Sequence, residues 1–188
     1  MRDPDREPVQ RAGVARSLAV SILLLAGCAA VPQLEPASAQ RLSGRLSVRV
    51  DAAAGAPARS VSAAFELEGD AERGRLDLST PLGSVMAQAR WAPGSVVLAT
   101  PQGEQAFADL DALTREALGG SVPVQALFDW LRGRPWPGAP SVPNGTPAEP
   151  GFRQLGWSVD LARFDEAWVV AQREAAPTVQ VRAKLDRP

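Results

Sequence analysis

From residue 41 the chain alternates, with Leu42, Gly44, Leu46, Val48 and Val50 on one side and Arg41, Ser43, Arg45, Ser47 and Arg49 on the other. A period of two with one apolar face predicts a half-buried β-strand. The pattern recurs in Val61, Ala63, Phe65 and Leu67, in Leu76 and Leu78, in Val85, Ala87, Ala89 and Trp91, and in Val96 and Leu98, with Phe107 continuing it. The joining segments A-P-A, E-G-D-A-E-R-G, T-P-L-G and A-P-G suit hairpins or short loops, so antiparallel neighbours with one wet face are expected.

The period then changes. Leu110, Leu113, Ala117 and Leu118 fall at helical spacing, Asp109 or Asp111 can cap the start, and Gly119-Gly120 can end it. A second helix is expected in P-V-Q-A-L-F-D-W-L-R-G, with Pro123 near its N-terminus, Val124, Leu127, Phe128 and Leu131 on one stripe, and Gly133 at the C-cap. The prolines between Arg134 and Gly151 forbid both helix interior and central strand, which predicts a loop. Alternation returns in Trp157, Val159 and Leu161, in Trp168 and Val170, and in Val179, Val181, Ala183 and Leu185. About nine to eleven short strands with two helices inserted late can curl into a partial barrel covered by those helices. A domain of about 160 residues ordinarily fills its interior, so this pattern leaves open whether a cavity remains.

Composition narrows the chemistry. The 188 residues include one Cys, no His and no Tyr, which excludes Cys/His zinc sites, Ser-His-Asp triads and Cys-His pairs. A carboxylate-dependent hydrolase using Asp109 and Asp111 is possible only in principle. Capping is the ordinary reason for acids at a helix start. No cofactor is implied.

Ahead of the strands, Arg11 and Arg16 precede the apolar run S-L-A-V-S-I-L-L-L-A, too short to span a bilayer and shaped like an export signal. The run ends in L-A-G-C, Leu25 to Cys28, which resembles the bacterial lipoprotein lipobox, whose cysteine is lipidated and becomes the first mature residue. A basic start, a short apolar core, Leu at minus three and small residues before Cys coincide, which favours a lipoprotein leader over an ordinary secretory peptide with Cys28 a buried thiol. The expected organisation is a signal peptide over 1–27, a lipidated N-terminus and Pro/Ala-rich tether over 28–40, and one domain over 41–188. By the same resemblance Ala29, in place of an inner-membrane-retaining aspartate, implies the outer membrane. Losing Arg2, Arg6, Arg11 and Arg16 with Asp3, Asp5 and Glu7 from 20 basic and 21 acidic residues leaves 16 and 18, a net −2. Without a clustered basic face, no nucleic acid partner is expected.

The order R-L-S-G-R-L-S-V, F-E-L, L-D-L-S-T-P-L-G-S, L-G-G-S-V-P-V-Q-A-L-F-D-W-L-R-G and Q-L-G-W-S-V-D-L resembles the LolB family of outer-membrane lipoprotein receptors over nearly all of the mature chain. The resemblance implies an incomplete antiparallel barrel with helices as a lid over an apolar cavity. Its function would be to accept acylated lipoproteins from a periplasmic LolA-like carrier and place them in the outer membrane, without enzymatic chemistry and as a monomer. It places Trp130 and Trp157 at the acyl-chain cavity, where plain core packing is the competing explanation. Phe65, Leu67, Leu76, Leu78, Val85, Leu127 and Leu131 are further cavity candidates. Leu67 stands where many members carry tryptophan in an F-x-W pattern, and the chain ends K-L-D-R-P rather than in an aromatic residue.

Leu82 is singled out by the resemblance; on turn chemistry alone, a leucine that folds back onto the barrel rim is the ordinary explanation. In T-P-L-G, Pro81 suits turn position i+1, which puts Leu82 at the outermost point of a hairpin, and the resemblance makes it the residue that touches outer-membrane lipid during delivery. The alternative function is an envelope assembly lipoprotein that binds a protein partner through a sheet edge, with its interior fully packed.

Overall fold

The computed structural model describes residues 40–53, 55–144 and 149–186. The expected leader, the expected lipidation position Cys28 and the expected tether up to residue 39 lie outside the described residues. The first six strands form a meander: β1 (Gln40–Val50), β2 (Arg59–Gly69), β3 (Gly74–Ser79), β4 (Val85–Ala92), β5 (Ser95–Thr100) and β6 (Gly103–Phe107). Two helices follow, α1 (Leu110–Leu118) and α2 (Val124–Trp130). A second meander, β7 (Ser141–Pro143), β8 (Gly151–Gln154), β9 (Trp157–Asp160), β10 (Trp168–Arg173) and β11 (Val179–Leu185), returns the chain to its start.

All eleven strands form one antiparallel sheet in the order β6-β5-β4-β3-β2-β1-β11-β10-β9-β8-β7. The end of the chain is joined to its beginning by β11 on β1, from Gly44 opposite Leu185 to Val50 opposite Val179. Edges β6 and β7 do not pair, so the barrel is incomplete. Because α1 and α2 run from one free edge to the other, they cover the concave face.

Local chemistry explains why the helices sit where they do. Asp109 is the N-cap of α1, its carboxylate accepting from the Ala112 N–H at 2.7 Å, and Gly119 ends the helix at φ 81. Pro123 precedes α2 as expected, but Leu131 holds the C-cap in a right-handed conformation, and the left-handed Gly133 (φ 74) comes two residues later. The apolar face of α2 is also wider than one stripe. Ala126 and Trp130 are fully buried and Val124, Leu127 and Phe128 nearly so, because one side of the helix meets β4 and the other meets β8 and β9.

Three expectations need correction. The proline-rich stretch contains β7, which runs at the sheet edge, where Pro143 interrupts no inner ladder. On β10 the inward residues are Val169 and Ala171, not Trp168 and Val170, because Ala171 faces Val181 and Val169 faces Ala183, both inward on β11. Trp168 instead lies outside beneath Arg163, Arg182 and Lys184, whose charged groups stand 5.4–5.7 Å from its ring. Finally, the register slips between Leu78 and Ser79, pairing Leu78 with Ala87 but Ser79 with Val85. The extra residue, Met86, makes a β-bulge that resets the alternation and turns Val85 outward.

The lower part of the concave face is closely packed. Trp91 lies over Gly74, its cross-strand partner, where a Cβ would collide with the indole and with the Glu68 carbonyl. Gly74→Ala is expected to destabilise the domain by about 1–3 kcal/mol, read as a lower urea midpoint with an unchanged m-value.

Candidate functional site

Around the space beneath α1, the first meander presents mainly aliphatic side chains and no aromatic ring. An apolar cavity of about 280 Å³ lies between the upper halves of β1 to β5 and the two helices. Leu46, Val48 and Val61 form its back and Leu78, Met86 and Ala87 its side nearest the β3–β4 turn, while Leu113, Ala117 and Leu127 descend from the helices. Thr100 and Thr114 are the polar residues in its wall. Thr114 is internally engaged, its hydroxyl donating to the Asp111 carbonyl at 3.2 Å and accepting from the Val122 N–H at 3.1 Å. A wall with no ionisable group disfavours charged ligands and suits a hydrocarbon chain.

The sequence-predicted residues divide into three groups. Leu76, Leu78 and Leu127 line this cavity. Phe65, Leu67, Leu131, Trp130 and Trp157 do not; all are buried in the packed core. Trp130 makes edge contacts with Phe152 at 6.3 Å and a tilted one with Trp157 at 6.0 Å. Its indole N–H donates to Gln154 Oε1 at 2.7 Å. Gln154, itself buried, also accepts from the Trp136 N–H and donates to the Trp136 and Ala139 carbonyls. Both tryptophans are packed in the core rather than on the wall of this cavity. Val85 is 63% exposed and stands outside the cavity, for the bulge reason given above.

Residues missed by the sequence reading include Leu46, Val61, Met86 and Ala117. Their signal was present as inward alternation or helical spacing, but nothing in spacing separates a residue facing a void from one facing a neighbour. Met86 had no such signal, since only the bulge brings it inside.

Leu82 is the most exposed large apolar side chain among the described residues, at 96%. Its turn is tightly built. The Gly83 N–H donates to the Thr80 carbonyl at 2.9 Å, the Thr80 N–H to the Ser84 carbonyl at 2.9 Å, and the Ser84 N–H to Thr80 Oγ1 at 3.1 Å. Gly83 takes the left-handed conformation (φ 83) that closes a type I turn back into the ladder. With Val85 turned outward, this tip is apolar over more than one residue. It crowns the same two strands whose inward residues, Leu78 and Ala87, line the cavity.

A larger groove of about 720 Å³ at the other end, between the β2–β3 turn and the segment after α2, is walled by Asp70, Glu72, Asp129, Arg132 and Arg134. There burial, and secondarily Arg134, holds the Arg132 guanidinium below its usual range. Its charged walls suit no acyl chain, so the smaller apolar cavity is the better candidate. Asp109 and Asp111 form no acid/base pair: the first caps α1, and the second bonds Arg115 at 2.8 Å and Ser121.

The family model for outer membrane lipoprotein LolB matches residues 38–186. The chain belongs to the LolB family. It is 37% identical to the outer-membrane lipoprotein LolB of Bordetella petrii over 88% of each chain. It is 33% identical to that of Cupriavidus metallidurans, covering 87% of this chain and 82% of the relative. Against that of Ralstonia nicotianae it is 34% identical, covering 91% and 85%. The half-barrel, the helical cover and the apolar cavity expected of a LolB member are all present.

Packed core and cavity should respond differently to substitution. Ala87→Leu fills open space, so it is expected to change stability by less than about 1.5 kcal/mol while sharply reducing uptake of a fluorescent acyl probe. Trp130→Ala is expected to cost about 3–5 kcal/mol in urea unfolding.

Proposed function

We propose that this LolB member is an outer-membrane lipoprotein, anchored through Cys28 and facing the periplasm, that takes acylated lipoproteins from a LolA-like carrier and inserts them into the outer membrane. The observation that carries this reading is the apolar cavity beneath the helices, at the end of the half-barrel crowned by the 96% exposed Leu82. The cavity takes acyl chains, whose transfer from carrier to cavity to bilayer keeps the same apolar surface out of water at each end. Transfer therefore runs downhill if affinity rises along that order, without a nucleotide and without a covalent step.

Leu82 is the contact with the bilayer. Burying one leucine yields roughly 1.5–3 kcal/mol, enough for a brief touch and too little to hold the protein at the membrane. Anchoring falls to the acyl chains on Cys28, each CH₂ adding about 0.8 kcal/mol. The surface ion pairs of the first strands, such as Arg41 with Glu68 and Arg49 with Asp51, need no part in this.

The test compares an acylated lipoprotein with its unacylated form. Stable complex formation with the first alone is expected, and equal binding of both would sink the cavity reading. Leu82→Glu is expected to capture cargo as the parent does and to fail in delivery to vesicles; undiminished delivery would remove Leu82 from the mechanism.

A further inference from the structure

The turn joining β8 to β9 contains a residue that local chemistry disfavours. Gln154 pairs with Trp157, leaving the two-residue loop Leu155-Gly156, with φ 55 and 75. Two left-handed residues in a two-residue hairpin loop make the turn type that Asn-Gly or Asp-Gly normally fills. A leucine there adopts a conformation that side chains with a Cβ rarely take. Packing does not compensate for it, because Leu155 is 46% exposed. Strain held at an exposed apolar residue points to a role outside the folded domain's own stability.

The sheet register places this turn on the rim that carries Leu82. In an antiparallel meander, turns alternate between the two ends, and β1–β2, β3–β4, β5–β6, β8–β9 and β10–β11 all turn at the same end. Along the ladders, Ser79 beside the Leu82 turn reaches Ala64 on β2. Ser158 beside the Leu155 turn reaches Ser60 on β2 through Gln172, Gln180 and Arg49. The rim thus shifts by about one residue per strand, the stagger that tilted barrel strands require for a level rim. The opposite ends step the same way, from Gly69 opposite Gln40 on β2 to Trp168, which reaches Ala64 through Lys184 and Arg45.

The surroundings of Leu155 match a lipid surface. Val142, 64% exposed on edge strand β7, stands opposite Arg153, and Arg153 precedes Leu155 by two residues. Arg153 is exposed and forms no ion pair among the described residues. Two apolar side chains with an unpaired cation beside them suit the boundary between acyl chains and lipid phosphates.

We infer that Leu155, with Val142 and Arg153, forms a second bilayer contact across the rim from Leu82. The inference rests on the proposed membrane role of Leu82. One contact point leaves the half-barrel free to pivot about it. Two points on one rim leave only rotation about the line that joins them, and the cavity lies in the upper half of the strands beneath that rim.

The test uses the full chain on vesicles of phosphatidylethanolamine and phosphatidylglycerol. A photo-crosslinking benzoylphenylalanine replaces Leu82, Leu155 or, on the opposite rim, the exposed Glu72. Crosslinks to phospholipid from 82 and 155 but not from 72 are expected. Crosslinks from 82 without 155 overturn this inference and leave the Leu82 reading standing. Crosslinks from neither overturn both. Crosslinks from 155 without 82 overturn the Leu82 reading and, with it, the two-point contact. Leu155→Asn supplies the residue the turn prefers, so its thermal midpoint should hold or rise while delivery slows by roughly three- to tenfold, the loss expected for a half-exposed leucine. Parental delivery by Leu155→Asn would also overturn the inference.

Discussion

Everything in this half-barrel depends on α2 bridging two halves of a sheet that does not close. Two residues apart on the helix, Phe128 and Trp130 point to opposite partners. Phe128 meets Trp91 of β4 edge-on at 5.9 Å, and Trp130 meets Phe152 of β8 and Trp157 of β9. Such aromatic contacts add to the burial of large rings. The buried Gln154 then ties the indole of Trp130 to the backbone after α2, satisfying in one place a donor, an amide and two carbonyls that burial would otherwise leave unpaired. With α2 fixed in this way, α1 is carried across the other half, where the facing residues bring no aromatic ring into the space.

The division of the interior into a packed end and an open end follows from side-chain size. At the lower end Trp91, Leu67, Phe128 and Trp130 fill the space between sheet and helix. At the upper end the lining carries no aromatic ring: β4 turns in Met86, Ala87 and Ala89, and α1 presents Ala117. Both ends obey the same alternation, which is why the sequence predicts strands, helices and sheet order well and cavity membership poorly. Leu76, Leu78 and Leu127 were legible as inward residues that happen to face the void. Trp130 and Trp157 were equally legible as inward, yet they face one another and Phe152. Deciding between those outcomes requires the size of the residue across the sheet, which depends on register.

Register also accounts for the remaining departures. A single inserted residue at Met86 reverses Val85, and no turn or proline marks it in the chain. In β10 the run Trp168 to Ala171 is apolar on both faces, so alternation alone names no inner side; the pairing with β11 does. The Leu82 tip was legible because its cause is local: a proline that fixes one turn position, a threonine hydroxyl that holds the return, and a glycine that accepts the left-handed conformation. The β8–β9 turn was not flagged, because Leu-Gly reads as an ordinary apolar step until its backbone is known.

The open end also explains how a receptor can hold cargo without being committed to it. The cavity of about 280 Å³ leaves its apolar lining without contacts that a packed core would supply, a cost to stability. The aromatic end, pinned by Gln154, has to offset that cost. On the proposed function, an acyl chain entering the cavity would restore the missing contacts and recover part of that cost, so the empty space itself would supply affinity for cargo. That affinity is bounded by the volume available, whereas a bilayer takes every methylene of each chain. On the proposed function, a cavity of limited size would bind an acyl chain more weakly than the membrane does, the ordering that delivery requires.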